Sequence, residues 1–297
     1  MSGSEAPKGN GLAQSAPLGS LEGSEAAFGL ILLALFALVG LCAPLLAPYD
    51  PYEFSGQPLE RPGPAHRLGT NDVGQDIFSE LIYGARISLL VALGAAAGTV
   101  AVGVLVGSIA GYAGGWLDGL LMRAVDVLMT LPRLPLLILL ASFIGAGLPQ
   151  TVTIIALLFW PATARVIRAQ VQALRRRGYV RMARGFGGGT GYVLVRHILP
   201  EIGPLIASGL VTAAGRAVAM EAGLAFLGLG DPTAKSWGLM IRFALNLPGL
   251  LLTDRWLWWL LPPGLCITLL ILALTFAGIG LERHLHPQLR PLGFEKP

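Results

Sequence analysis

Long apolar stretches without a single charge are the feature that most restricts how this chain can fold. No Asp, Glu, Lys or Arg occurs within 28–47, 87–117, 134–164 or 256–281. Because about 20 apolar residues in a helix cross the ~30 Å hydrocarbon core of a bilayer, each stretch is long enough to span a membrane. Charged residues make up 13% of the chain, against about 25% in soluble domains. The sequence therefore predicts an all-α, polytopic transmembrane helical bundle.

Glycine and proline divide the apolar sequence into about six predicted spans. A turn near 145–149, where Gly and Pro cluster, separates two helices in the stretch that begins at residue 134. The stretch 202–230 is counted as a span although Arg216 and Glu221 interrupt it. The predicted spans are 26–47, 86–113, 119–145, 150–172, 201–228 and 256–281.

The distribution of basic residues predicts the orientation of these spans. The segment 165–197 contains eight arginines and no acidic residue, and basic loops stay on the cytoplasmic side. With six spans, both termini are then cytoplasmic. We expect a disordered cytosolic tail (1–25), an uncleaved first anchor (26–47) and an external segment (48–85). A core of five spans (86–281) follows, with a cytosolic loop at 173–200 and an external loop at 229–255, and then a cytosolic tail (282–297).

The two predicted external regions differ in composition. Residues 48–66 contain five prolines, which exclude regular helix. The residues after them predict a short amphipathic helix with Val73, Ile77, Leu81 and Ile82 on one face. In the second region, tryptophans at 256, 258 and 259 are predicted to lie at the outer interface, as aromatic belts do.

Arg216 and Glu221 are the ionisable residues predicted to lie deepest in a span. Such residues usually face a polar cavity or a partner, so we expect them to line a translocation path or to pair with neighbouring helices. Five residues apart, they do not share a helical face. Gly94, Gly98, Gly103 and Gly107 are predicted to allow close helix packing.

Five motifs in register resemble one family. They are Leu68-Gly-Thr-Asn-Asp-Val-Gly-Gln-Asp-Ile77, Gly84-Ala-Arg-Ile-Ser-Leu89, Gly111-Tyr-Ala-Gly-Gly-Trp-Leu-Asp118 with Leu121-Met-Arg-Ala-Val-Asp126, Arg196-His-Ile-Leu-Pro200 and Phe226-Leu-Gly-Leu-Gly230. Over about 28–290 the chain resembles the second permease subunit of binding-protein-dependent ABC importers for dipeptides, oligopeptides and nickel. The resemblance implies the type I importer (MetI-like) permease fold and a place in the prokaryotic inner membrane.

The resemblance also implies a role for the basic loop 173–200. In such importers this loop forms a coupling helix that docks in a cleft of the cytosolic ATP-binding subunit. The residues implied to couple are Tyr179, Arg181, Met182, Ala183, Arg184, Phe186, Gly187, Leu199 and Pro200. The family pattern begins Glu-Ala-Ala, whereas this chain has Arg181-Met182-Ala183, which reverses a charge at the docking site. From charge alone, the arginines also fit a cluster that fixes orientation and binds anionic lipid headgroups.

Two function classes follow. In the first, the chain is a permease subunit for short peptides, with nickel or an oligosaccharide as alternative cargo. It would act with a homologous permease, two ATPase subunits that hold ATP and Mg²⁺, and an external binding protein. In the second, the chain is an ion-coupled carrier acting alone. The sequence has no GxxxxGK[ST] phosphate-binding motif, and we expect no catalytic, cofactor, metal or nucleic-acid site on the chain itself.

Overall fold

The computed structural model describes residues 18–285, and the side chains of residues 25–282. The predicted tails 1–25 and 282–297 lie outside the described residues except where the first and last helices enter them. Within 18–285 the chain is helical, with one isolated β-bridge between Thr70 and Asp76 and no strand. The all-α prediction is confirmed.

The helices are labelled α1 to α12 in chain order. Their bounds are α1 Leu18–Leu41, α2 Ala43–Leu46, α3 Ile77–Ala113, α4 Gly115–Thr130, α5 Arg133–Ile144, α6 Leu148–Arg175, α7 Gly178–Gly185, α8 Thr190–Val193, α9 Gly203–Leu227, α10 Trp237–Asn246, α11 Trp256–Trp259 and α12 Leu261–Leu285. A π-helical segment, Leu194–Ile198, follows α8, and a short 3-10 helix, Leu250–Leu252, follows α10.

Four helical segments are long and apolar enough to cross a membrane: α3, α6, α9 and the segment Trp256–Glu282. Helices α4 and α5 add a fifth span if they are taken together, although they are bent by 90°. The apolar part of α1, Glu25–Leu41, is 17 residues long, near the lower limit of ~17–25 residues for a span. The prediction of a sixth span therefore depends on this first helix.

A row of glycines along α3 lets α6 pack closely and in parallel with it. A Cβ at Gly98 would lie 2.8 Å from the Ala156 Cβ, and one at Gly107 would lie 2.5 Å from the Ala164 carbonyl oxygen. Later residues of α3 contact later residues of α6, so the two helices run parallel. Their C-terminal ends therefore lie at the same end of the bundle. The predicted close packing of these glycines is confirmed.

The structure corrects the prediction of one continuous span over 119–145. Leu131 has an extended backbone, and Pro132 forms the N-cap of α5. The residue before a proline is disfavoured in helical geometry, so α4 ends at Thr130 and the chain turns. Hydropathy averages over such a break and does not detect it.

The amphipathic helix predicted before residue 86 is the beginning of α3 and is not a separate element. Asp76 caps it, since its carboxylate accepts a hydrogen bond from the Ser79 N–H at 2.8 Å. The prediction of a distinct short helix was wrong because no helix-breaking residue separates Ile77 from the apolar run.

The placement of the α11 tryptophans at the outer interface stays a prediction, but two of these side chains do not lie on the surface as an aromatic belt would. Trp258 and Trp259 are 9% and 1% exposed and lie in the hydrophobic core with Trp237 of α10 and Phe36 of α1. Composition alone does not distinguish an interfacial aromatic residue from one that fills a core.

Candidate docking surface and intramembrane cavity

Helix α7 is a short helix that ends in a glycine-dependent turn. The Gly187 N–H donates to the Arg184 carbonyl at 3.0 Å, and the Gly188 N–H donates to the Ala183 carbonyl at 3.0 Å. With Gly187 at a φ of +88°, this is a Schellman motif, which favours glycine at its left-handed position. Gly187 thus ends α7 and reverses the chain through a defined backbone conformation.

One face of α7 anchors it to the spanning helices. Val180 is fully buried in a cluster that contains Ile167, Val171 and Leu174 of α6 and Tyr112 of α3. Ala183 packs at the edge of the same cluster. Helix α7 therefore packs against side chains that belong to two long helices.

A second face of α7 is apolar and exposed. It consists of Tyr179, Met182 and Phe186, with exposed fractions of 41%, 62% and 85%, and it is called the apolar stripe below. Spacings of three and four residues place these side chains on one side of a helix. Partial burial, and then the nearby Glu201 carboxylate, raises the pKa of the Tyr179 hydroxyl, so this group stays neutral at ordinary pH. The stripe is uncharged.

The third face of α7 is basic. Arg181 and Arg184 are exposed, and at 100° per residue they lie roughly 130° and roughly 170° around the helix from the centre of the apolar stripe. The sequence prediction grouped all of these residues as one docking set. The structure separates them into an anchoring face, an apolar face and a basic face.

The chain returns from α7 to the bundle through α8 and the π-helical segment. Val193 and Ile198 are buried in the cluster that holds Val180. The Leu199 N–H donates to the Leu194 carbonyl at 2.8 Å, and Leu199 packs at the cluster edge. Pro200 is exposed and precedes α9. Both ends of the loop are thus fixed to one small core.

Three arginines near this loop form ion pairs that hold elements together. Arg168 of α6 binds Asp118 of α4 with two hydrogen bonds, 2.5 Å from Nε to Oδ1 and 2.7 Å from Nη2 to Oδ2. Arg165 also reaches α4, at Asp126. Arg177 lies 3.6 Å from the Glu201 carboxylate. Helix α4 is thereby tied to the end of α6 that carries α7.

Arg216 and Glu221 of α9 lie in different environments. Arg216 is exposed and lines a cavity of about 250 Å³ between α3, α6 and α9. Glu221 is 4% exposed, and its Oε2 has no hydrogen-bond partner among the described residues. The structure does not bring the two residues together.

The cavity at Arg216 has a mixed lining. It contains the aromatic ring of Phe159, and Glu282 contributes a carboxylate. The hydroxyl-bearing side chains around it are those of Thr99, Thr163, Ser208 and Thr212. Such a surface can accommodate a polar solute within the apolar bundle.

Sequence reasoning missed a polar network at the other end of α3. The Lys235 ammonium donates to Glu80 Oε1 at 2.6 Å and to Gln75 Oε1 at 2.6 Å, and the Asn71 amide donates to both acceptors. Next to it, the Trp237 indole N–H donates to the Leu81 carbonyl at 2.9 Å. More than 150 residues separate Lys235 and Trp237 from their partners on α3, so no local pattern indicates the pairing.

Comparisons with known proteins cover most of the chain. The profile of the family described as "Binding-protein-dependent transport system inner membrane component" matches residues 103–291. The chain is 36% identical over 272 residues to the di/tripeptide transport system permease protein DppC of Pseudomonas aeruginosa, covering 88% of each chain. It is 33% identical to the dipeptide transport system permease protein DppC of Alkalihalophilus pseudofirmus, covering 88% of this chain and 85% of the relative. A protein of Brucella suis biovar 1, provisionally named a peptide permease, is 38% identical over 90% of this chain and 88% of its own length.

Proposed function

The chain belongs to the family of binding-protein-dependent transport system inner membrane components, and from this premise we propose that it is a permease subunit of an ATP-driven importer for short peptides. The relatives that resemble it along nearly their whole length carry names of peptide, dipeptide and di/tripeptide permeases. The observation that carries the coupling part of the proposal is the exposed apolar stripe on a helix whose neighbouring face is buried in the bundle core.

An uncharged, exposed stripe at one end of a membrane protein suits a protein partner. Tyr, Met and Phe are enriched in the centres of protein interfaces, and Phe186 leaves 85% of its surface open. We assign the stripe to a cleft of a cytosolic ATPase subunit. ATP and Mg²⁺ are held by two such subunits.

The anchoring face of α7 supplies the mechanical link. Closure of the ATPase subunits would move α7, and Val180 would carry the movement to the ends of α3 and α6 through the shared cluster. Close-packed side chains transmit displacement because they have little free volume. The ion pairs of Arg165 and Arg168 extend the link to α4.

The translocation path is assigned to the face of α9 that carries Arg216. A second, homologous permease would complete the path, and an external binding protein would deliver the cargo. An exposed arginine in a spanning helix is costly against lipid, so its place at a cavity lined by hydroxyl groups favours a polar route. The buried Glu221 is assigned to helix packing within the chain.

We assign the orientation of the bundle in the membrane from the distribution of its basic residues. The end of the bundle that carries α7 is placed in the cytosol together with both termini, and the Lys235 network is placed on the external side. This assignment agrees with the retention of arginine-rich loops on the cytoplasmic side.

Co-purification with the ATPase tests the proposal. The detergent-solubilised chain should recover a second permease and P-loop ATPases from its native membrane, identified by mass spectrometry. Phe186→Asp should reduce ATPase recovery at least about tenfold, since hot-spot side chains contribute about 2 kcal/mol or more. Leu252→Asp, at a residue that is 91% exposed near the opposite end, is the matched control and should leave recovery unchanged.

The alternative of an ion-coupled carrier gives a different result in the same experiment. That carrier would be recovered alone and would move cargo in liposomes under an ion gradient without ATP. Either observation would overturn the importer assignment.

A further inference from the structure

A second cavity lies beside the basic face of α7. Its volume is about 670 Å³, and it is formed by the end of α6, the last turns of α3 and α7. Its lining residues are Gly111, Gln172, Arg175, Arg176, Arg181 and Arg184. Four guanidinium groups thus surround one space, and no carboxylate lines it.

The acidic residues nearest in the chain are already bound to other arginines. Asp118, Asp126 and Glu201 form ion pairs with Arg168, Arg165 and Arg177. In the described part of the chain, none of the four arginines that line the cavity forms an ion pair. Like charges gathered in one concave site repel each other and attract anions from solution.

Two of the four guanidinium groups are held in place by one aromatic ring. Arg175 Cζ lies 5.8 Å, and Arg184 Cζ 5.5 Å, from the ring centroid of Tyr112. Tyr112 is only 4% exposed, so the ring is fixed by its own packing. Preorganised arginines lose less side-chain entropy when they bind a ligand.

The cavity is separate from the proposed ATPase contact. The apolar stripe and the basic face lie on nearly opposite sides of α7. Gly111 and Tyr112 belong to the last turn of α3, and Trp116 of α4 just beyond is 79% exposed. An exposed tryptophan next to the end of a spanning helix is typical of the headgroup level of a bilayer.

We propose that this cavity binds a phosphate group through Arg175, Arg176, Arg181 and Arg184. The planar fork of arginine matches two phosphate oxygens at once, and phosphate carries enough charge for several such contacts. The phosphate belongs either to an anionic phospholipid headgroup or to a soluble phosphate. Occupancy would neutralise the basic face and fix α7 against α6 in the orientation that presents the apolar stripe.

The test uses the whole chain in nanodiscs and needs no ATPase. Thermal midpoints are measured in phosphatidylcholine alone, in phosphatidylcholine with phosphatidylglycerol, and in phosphatidylcholine with inorganic phosphate at an ionic strength matched by sodium chloride. Native mass spectrometry counts the lipids that remain bound. Stabilisation by phosphatidylglycerol alone assigns a lipid headgroup, and stabilisation by inorganic phosphate assigns a soluble ligand.

Variants of the lining arginines provide the specificity control. Arg175→Gln together with Arg184→Gln should weaken binding of the effective probe at least about tenfold, because each substitution removes charged hydrogen bonds to the phosphate. Arg176→Gln, which removes no contact with Tyr112, should weaken binding without lowering the midpoint in phosphatidylcholine. Arg196→Gln is the matched control, since Arg196 is exposed in the same loop but does not line the cavity.

Two results would overturn the proposal. One is the absence of any effect of either probe on the wild-type chain. The other is equal weakening by Arg196→Gln and by the cavity variants, which would indicate diffuse attraction by the loop. If neither probe binds but the cavity variants lose the ATPase, the arginines instead meet carboxylates of that subunit.

Discussion

At the residue scale, Gly187 shows how one backbone angle limits the choice of side chain. Its Cβ would meet nothing within 4 Å, so space does not restrict the position. The restriction is the φ of +88° together with the N–H that donates to Arg184. Proline has φ near −65° and no N–H, so it is incompatible with both.

We therefore expect Gly187→Pro to abolish substrate-stimulated ATPase activity of the assembled transporter while the chain still inserts in the membrane. Activity is measured in proteoliposomes with the companion subunits and a peptide cargo. Gly185→Ala is the control, because Gly185 is helical and its added Cβ would be unobstructed. Unchanged stimulation in the Gly187 variant would contradict the coupling role of α7.

Gly84 of α3 is restricted by space, in contrast to Gly187. A Cβ there would lie 2.4 Å from Cδ1 of Trp237, whose ring is fully buried and held by its hydrogen bond to Leu81. Because overpacking of this kind costs about 1–3 kcal/mol, Gly84→Ala should lower the thermal midpoint in detergent. Gly119→Ala, on an open face of α4, should leave the midpoint unchanged or raise it slightly.

At the element scale, the Lys235 network joins the segment before α10 to the beginning of α3. The side chains of Lys235 and Glu80 are 13% and 4% exposed, so the two groups contact each other largely out of water. Removing one partner of a buried pair costs about 3–5 kcal/mol, whereas replacing both is much less costly.

Lys235→Met should consequently destabilise the chain strongly, and Glu80→Gln added to it should recover a large part of the loss. The thermal midpoints of both single variants, the double variant and the wild type complete the double-mutant cycle. Additive effects of the two substitutions would show that the pair is not coupled, in conflict with the 2.6 Å contact.

Helices α4 and α5 show how far an element can be predicted from composition. Their apolar character is evident from the sequence, and the turn at 145–149 is confirmed by the end of α5 at Ile144 and the start of α6 at Leu148. The 90° bend between α4 and α5 was not predicted, because it depends on one residue that precedes a proline. The ion pairs of Asp118 and Asp126 with α6 then fix where α4 lies.

At the scale of the whole molecule, the proposed orientation makes a labelling prediction. A cysteine at Gly63, in the segment before α3, should react with a membrane-impermeant maleimide in intact cells. A cysteine at Gly191, in α8, should react only after the membrane is permeabilised. Both positions are exposed, and Cys42 and Cys266 are replaced by alanine to remove background labelling. The reverse labelling pattern would show that the orientation is inverted and that the docking surface on α7 does not face the cytosol.

The family could be predicted because its signals are local. The five motifs and the spacing from Arg181 to Pro200 identify the family without any contact information. The division of α7 into three faces could be predicted only in part. Which side of a short helix is buried depends on the positions of α6 and α3, and the segment of eight residues alone does not specify them.

The sequence by itself determined the all-α membrane class, the main spanning helices and the family, because hydropathy, charge and motif spacing are properties of neighbouring residues. Only the tertiary structure separated Arg216 from Glu221, paired Lys235 with Glu80 and gathered four arginines around one cavity. These arrangements depend on contacts between residues that are distant in the chain, and packing in three dimensions decides which of the available polar groups come within hydrogen-bonding distance.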